Sequence, residues 1–360
     1  MGSGTGKYIA LGLIIVMALA IAGLITGAIG AGLTQSEEAK AAGETAEGPF
    51  IPKPEVHLPA QVVFPTSDRD HYRDFLEAEK AEKKYGEASL THDQEELVEE
   101  GPYQGSNFII TNTILSSFIA SIVLVLLFVL GARKAALVPG RFQNFVEIAI
   151  EGLLNFVEAV VGRQHSRLIF PVIATIFLFV VVNAWIGLLP IYPSLGFKAG
   201  DAIQIHLLRP AGTDINMPLA LALVSFIFVE WLGLKMLGLS YITKFIRIGS
   251  LKEGLKALFQ MRFLDAFQGL LDFFFVGPLE AFSELVRLIS FTFRLFGNMT
   301  AGEILVLVSA FLVPFIATVG VYGLELLVGF IQALIFSGLT LVFAAIAITA
   351  HHGESHSEQH

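Results

Sequence analysis

Apolar residues are gathered along this chain in long unbroken blocks, with no strand-period alternation. Blocks of about twenty residues or more cover 8–33, 108–130, 168–189 and 217–239, and two longer ones cover about 272–312 and 316–350. At 1.5 Å per helical residue, twenty residues cross a hydrocarbon core of ~30 Å. The segment 142–161 differs, because Glu147, Glu151 and Glu158 recur among its apolar residues at helical spacing. That pattern suits an amphipathic helix lying at the membrane surface. The fold expected is an all-α polytopic membrane protein. It has a five-helix core, two long, steeply inclined C-terminal helices and an N-terminal hydrophobic segment. As straight helices the last two blocks would reach ~60 and ~50 Å, an excess that ordinary tilts of up to about 40° do not absorb.

Composition agrees: 54% of the 360 residues are hydrophobic, 15% are charged and the mean hydropathy is +0.69. With no cysteine, disulfides, thiolate metal sites and thiol catalysis are excluded. The net charge of −9 comes from one segment, since residues 34–106 hold 17 Asp and Glu against 7 Lys and Arg, a net of −10. No basic patch there suggests nucleic acid. The expected organisation is a signal peptide or membrane anchor at 1–33, an acidic extracytoplasmic extension at 34–106, a membrane domain at 107–352 and a cytoplasmic tail at 353–360. Five prolines make the first half of the extension helix-poor, and 68–85 reads as helix. Its composition is that of a solvated spacer with one charged helix, the alternative being a docking arm. Orientation follows from Lys and Arg: the connections 133–167 and 235–262 hold five and six, the loop 190–216 only two. The first two are therefore expected in the cytoplasm.

Polar residues inside the apolar blocks carry the candidate chemistry. Arg294 lies in the run Phe-Thr-Phe-Arg-Leu-Phe-Gly-Asn, with Asn298 one turn on and Glu303 beyond. A guanidinium at bilayer depth costs roughly 2.5–3.5 kcal/mol on insertion scales and cannot shed its proton, so it is paired or used. Taken as a hairpin turning near residue 314, the last two blocks set Glu303 level with Glu325, and Arg294 level with Gln332. Arg294 and Glu303 are nine residues apart, roughly 900° of helical rotation, and point to opposite sides. Toward the cytoplasmic end Glu280, Glu284 and Arg287 share a face. Asp201, His206 and Asp214 in the loop 190–216 form a possible channel entrance, with ordinary loop residues as the alternative. No metal site is expected.

The run "FRLFGNMTAGE" followed by "GFIQALIFSGLTLVF" resembles subunit a of the F-type rotary ATP synthase, a likeness extending over about 105–352. The resemblance implies a proton-conducting stator in which two offset half-channels load and unload a rotating c-ring of carboxyl-bearing subunits. Arg294 would face the ring, with Asn298, Glu303, Glu325 and Gln332 along the ion path and Glu280 and Glu284 in the inner half-channel. Implied partners are the c-ring, the peripheral-stalk b subunits and the bilayer, in the cell (inner) membrane. Nucleotide chemistry would lie in partner subunits, so the chain is expected to be a non-catalytic subunit needing no cofactor. Its Gly2-Ser-Gly-Thr-Gly run lacks the strand-to-helix setting of a phosphate loop. The chain departs from the family in carrying two glutamates, Glu303 and Glu325, where many members carry one histidine and one glutamate. It also lacks an acidic residue directly after Asn183. An ion-coupled secondary transporter is the alternative function, against which stands the lack of an internal repeat.

Overall fold

The computed structural model describes residues 3–27, 60–85, 90–103, 108–133, 140–189, 192, 194–199, 202–238, 241, 254, 256, 260 and 262–349. The elements in order are α1 (Ser3–Thr26), β1 (Val62–Phe64), α2 (Thr66–Tyr85), α3 (His92–Glu100), β2 (Ile110–Thr111) and α4 (Asn112–Ala132). Next come α5 (Arg141–Gly187), β3 (Gly196–Ala199), β4 (Ala202–His206) and α6 (Asn216–Leu237). The chain ends in α7 (Phe263–Leu271), a π-helical turn (Asp272–Val276), α8 (Gly277–Leu312) and α9 (Ile316–Thr349). Among the described residues, five helical segments are long and apolar enough to cross a membrane: Asn112–Gly131, Arg141–Gly187, Asn216–Leu237, Phe267–Leu312 and Ile316–Ile348. The protein is an all-α polytopic membrane protein, as the pattern required.

Two of the expected helices are continuous in α5, which runs for 47 residues with a break at Gly162, where φ is +72° and ψ 164°. A side chain is strained at such a φ, so glycine allows the segment carrying Glu147, Glu151 and Glu158 to turn into the apolar one that follows without a loop. The last two spanning segments are 46 and 33 residues long, ~69 and ~50 Å as straight helices. Phe315, with φ +68°, makes the tight turn between them.

The described chain forms two compact units. The first comprises Met1–Ile119, Asn183–Asp214 and Gly297–Ile331, the second Ala120–Val182, Ile215–Phe296 and Gln332–His360.

In the first unit, the described part of the extension is folded, not a solvated spacer. Tyr72 and Leu76, one turn apart on α2, bury themselves with Val62 and Ile205, and Phe75, Ile109 and Phe197 pack around them. β1 pairs antiparallel with β2, and β3 with β4, so the stretch expected as a polar loop is a hairpin on which α2 rests. Gln61 ties the two parts: its backbone exchanges hydrogen bonds with Asn112, and its side-chain oxygen accepts from the His206 backbone N–H at 2.7 Å. Arg69 lies over the Phe197 ring at 4.2 Å. Burial pushes the Tyr72 hydroxyl well above the usual tyrosine range. The spacer reading fails because two apolar partners of α2, Phe197 and Ile205, lie more than a hundred residues downstream, and α3 was not expected at all. Residues 34–59, 86–89 and 104–106 of the extension and the tail 353–360 lie outside the described residues. Gly23 of α1 and Gly27 just after it lie against the Pro314 and Leu312 carbonyls, where a methyl group would collide.

In the second unit, Val157, Ile169 and Ile173 of α5 pack with Val229 and Leu232 of α6 and with Leu341, Ala344 and Ala347 of α9. Lipid removes most of the hydrophobic drive between helices, so close packing and buried hydroxyls matter more. Ser225 and Thr340 meet at 2.8 Å, and Ser337 satisfies itself on the Ala333 carbonyl.

Candidate functional site

The first unit encloses a cavity of about 170 Å³, room for several water molecules. Its polar lining includes Gln61, Asn112, His206, Arg209, Glu303 and Glu325. Five separate stretches therefore supply it: the extension, the foot of α4, the hairpin region and both C-terminal helices.

Glu303 and Glu325 both reach this cavity, but they do not pair. Glu303 is held by Arg209, whose Nη2 donates to Oε2 at 2.8 Å and whose Nε contacts both oxygens at 3.2 Å. Arg209 is only 7% exposed. Its own backbone N–H donates to Ser116 Oγ at 3.2 Å, and Ser116 in turn donates to the Asn112 carbonyl at 2.9 Å. A planar guanidinium fixed at both ends is suited to hold a carboxylate in one orientation. Sequence reasoning left Arg209 as a loop residue because its partner is 94 positions away. The only signal for it was an arginine in a segment otherwise poor in positive charge.

Glu325 takes the other side, against Gly302. A methyl group added at Gly302 would run into the Glu325 carboxylate, so the glycine is what admits it. Among the described residues no side chain or backbone group is hydrogen-bonded to Glu325. The cavity thus presents one carboxylate fixed by an arginine and one that, among the described residues, has no hydrogen-bond partner.

Of the possible entrance residues, His206 lines the cavity. Asp214 accepts a hydrogen bond from Thr113 Oγ1 at 2.9 Å and lies outside the lining. Asp201 lies outside the described residues.

In the second unit, Arg294 is exposed, and among the described residues no carboxylate is within ion-pair distance of it. The Phe291 ring, 5.9 Å from the guanidinium carbon, is its recorded neighbour. Gln332 is half-buried on α9, with no hydrogen bond to Arg294 among the described residues. Asn298, which belongs to the first unit, is half-buried as well. On α8 the residues Ser290, Phe293, Arg294, Gly297 and Ala301 are all exposed, at helical spacing, whereas Phe291, Thr292 and Leu295 are buried. Small residues beside a cation leave space for another helix to come close.

Glu284 is buried, 7% exposed, and ion-paired with Arg287 of the same helix. Glu280 is half-buried one turn before. The Arg287 guanidinium lies 4.1 Å over the Phe343 ring and 3.8 Å from Glu230 of α6. Glu230 was not singled out from the sequence, being a lone acid in an apolar helix.

Comparison with known proteins adds an independent finding. The ATP synthase A chain family matches residues 114–345. The chain is 34% identical to ATP synthase subunit a of Desulfosudis oleivorans over 241 residues, covering 66% of this chain and 89% of the relative. It is 32% identical to ATP synthase subunit a of Gloeobacter violaceus over 239 residues, covering 66% and 84%.

Proposed function

This chain belongs to the ATP synthase subunit a family, and from that premise we propose that it is the proton-conducting stator facing a rotating c-ring. As a subunit of that synthase it is a multi-pass membrane protein acting in a complex. The finer reading is that two offset half-channels meet the ring at Arg294. A proton enters through the cavity of the first unit, passes by Glu325 and neutralises a ring carboxylate. Glu303, held by Arg209, lines that route in one fixed orientation. The ring carries the proton round and releases it toward Glu280 and Glu284, on the cytoplasmic side by the distribution of positive charge.

Arg294 favours the ionised form of each passing carboxyl by Coulomb attraction, strong where dielectric is low. It thereby drives release before the carboxyl passes and bars direct leakage between the routes. Each charge moved is worth about 2.3 kcal/mol per 100 mV, which the ring converts to torque. Peripheral-stalk b subunits would hold the chain against that torque, in the cell (inner) membrane. The observation that carries this reading is the exposed Arg294 guanidinium, with no carboxylate among the described residues within ion-pair distance of it.

The test is ATP-driven proton pumping by the assembled complex in vesicles. Glu325→Gln removes the exchangeable carboxyl and is expected to cut pumping by two orders of magnitude or so, in the range of proton-relay groups. Gly302→Ala displaces the same carboxyl without removing it and is expected to give an intermediate loss. Unchanged pumping in both would refute the route.

A further inference from the structure

Gln61 belongs to the extension yet stands in the wall of the cavity, only 2% exposed. Its flanks are pinned: the Tyr103 hydroxyl donates to the Ala60 carbonyl at 2.9 Å, and Val62 pairs with Thr111 across β1 and β2. The residue itself bonds in two directions. The Asn112 backbone N–H donates to the Gln61 carbonyl at 3.0 Å, and the Gln61 N–H donates to Asn112 Oδ1 at 3.2 Å. Its side-chain oxygen accepts the His206 N–H at 2.7 Å, and Asn112 Nδ2 closes the ring by donating to the His206 carbonyl at 3.3 Å. A buried amide is costly unless it is bonded, and here each of three lining residues bonds the other two. Val62, next to Gln61, and Ile205, next to His206, share one core with Tyr72 of α2, so apolar packing backs the polar ring.

The ring continues toward the acid. The Asn112 carbonyl accepts from the Ser116 hydroxyl, Ser116 Oγ accepts from the Arg209 backbone N–H, and the Arg209 side chain holds Glu303. A hydrogen-bonded path therefore runs from the extension to a carboxylate on α8, all of it within the first unit. We propose that the extension is a working part of the proton-entry route and that Gln61 is its positioning residue, holding Asn112 and His206 as a rigid polar wall beside the two acids. The inference rests on the stator reading above and adds a segment to its entry route. Proton transfer through enclosed water needs hydrogen-bond partners at fixed places, and amide and backbone groups supply them without adding charge. Gln61 acts on Glu303 only through Asn112, Ser116 and Arg209, so it positions and does not itself carry the proton.

The experiment uses the assembled complex reconstituted in vesicles and reads ATP-driven pumping. Gln61→Leu keeps the bulk but removes the acceptor of the His206 N–H. It is expected to slow pumping by about an order of magnitude, the scale of one buried hydrogen bond left unmade. Gln61→Glu keeps an acceptor at the same reach and is expected to pump faster than Gln61→Leu. The natural chain has no cysteine, so Gln61→Cys gives it a single thiol. Silver ion, applied to the detergent-solubilised complex before reconstitution, bonds to that sulfur as the thiol proton leaves. It is expected to cut the pumping of Gln61→Cys by about fivefold or more relative to the untreated variant. Glu99→Cys, exposed on α3 and outside the cavity wall, should keep its pumping under silver. Equal pumping by wild type and Gln61→Leu, or a Gln61→Cys complex insensitive to silver, would overturn the inference and leave the extension a structural cover. If Gln61→Leu does not assemble, the silver comparison decides. Glu325→Gln in the same vesicles keeps the two levels apart. Normal pumping there would strike the entry route itself, and its loss beside normal Gln61 variants would strike this inference alone.

Discussion

Replacing Arg294 with alanine is expected to abolish ATP-driven proton pumping while the complex still assembles. The side chain is exposed and, among the described residues, holds no carboxylate of its own chain, so its removal breaks no internal ion pair. What is lost lies in the encounter with a partner. At an effective dielectric near 20, two unit charges 4 Å apart attract by about 4 kcal/mol. Forfeiting that corresponds to roughly three orders of magnitude in the balance between ionised and protonated rotor acid. Arg294→Lys keeps the charge, but as a compact, strongly hydrated ammonium without the planar fork, and is expected to recover only a minor part. Pumping is read as acidification of inverted vesicles, with complex yield followed in parallel. An assembled Arg294→Ala complex that pumped normally would remove the reason for the guanidinium.

Arg209 is expected to produce the second largest effect, and of another kind. Arg209→Ala leaves the half-buried Glu303 carboxylate without its two-pronged partner. Breaking a buried pair from one side costs about 3–5 kcal/mol, because the remaining charge is uncompensated. Assembly and thermal stability should therefore fall in Arg209→Ala. They should fall less in Glu303→Gln, and the double variant should be more stable than Arg209→Ala alone. Pumping should stay low in all three. The coupling from that double-mutant cycle is the readout, and a value near zero would show that the two side chains act independently.

The spanning helices were legible because each is a long run of one character. The blocks 108–130 and 217–239 correspond to Asn112–Ala132 and Asn216–Leu237, and the turn expected near 314 falls at Phe315. The segment set apart by Glu147, Glu151 and Glu158 ends at the Gly162 break within α5. The extension was not legible, since its helices carry few apolar residues and the surface that covers them belongs to a distant hairpin. Arg209 and Glu230 escaped for the same reason. Each is a single charge without a local period, and its meaning comes from a partner 94 or 57 positions away. The two C-terminal acids looked like a pair when counted from the turn. Only coordinates could assign an arginine from another segment to one of them and a glycine cradle to the other.

The central claim is that the side of α8 bearing Arg294 meets a moving acid on a neighbouring rotor. The chain has no cysteine, so an introduced thiol reports on one position alone. Disulfide formation requires α-carbons within about 7 Å, which makes it a strict test of contact. The measurement is oxidative cross-linking to a single cysteine placed beside the rotor carboxyl. Ser290→Cys and Gly297→Cys, on the exposed side, should form the disulfide, and Thr292→Cys and Leu295→Cys, on the buried side, should not. Cross-links from 292 and 295 with none from 290 and 297 would contradict it.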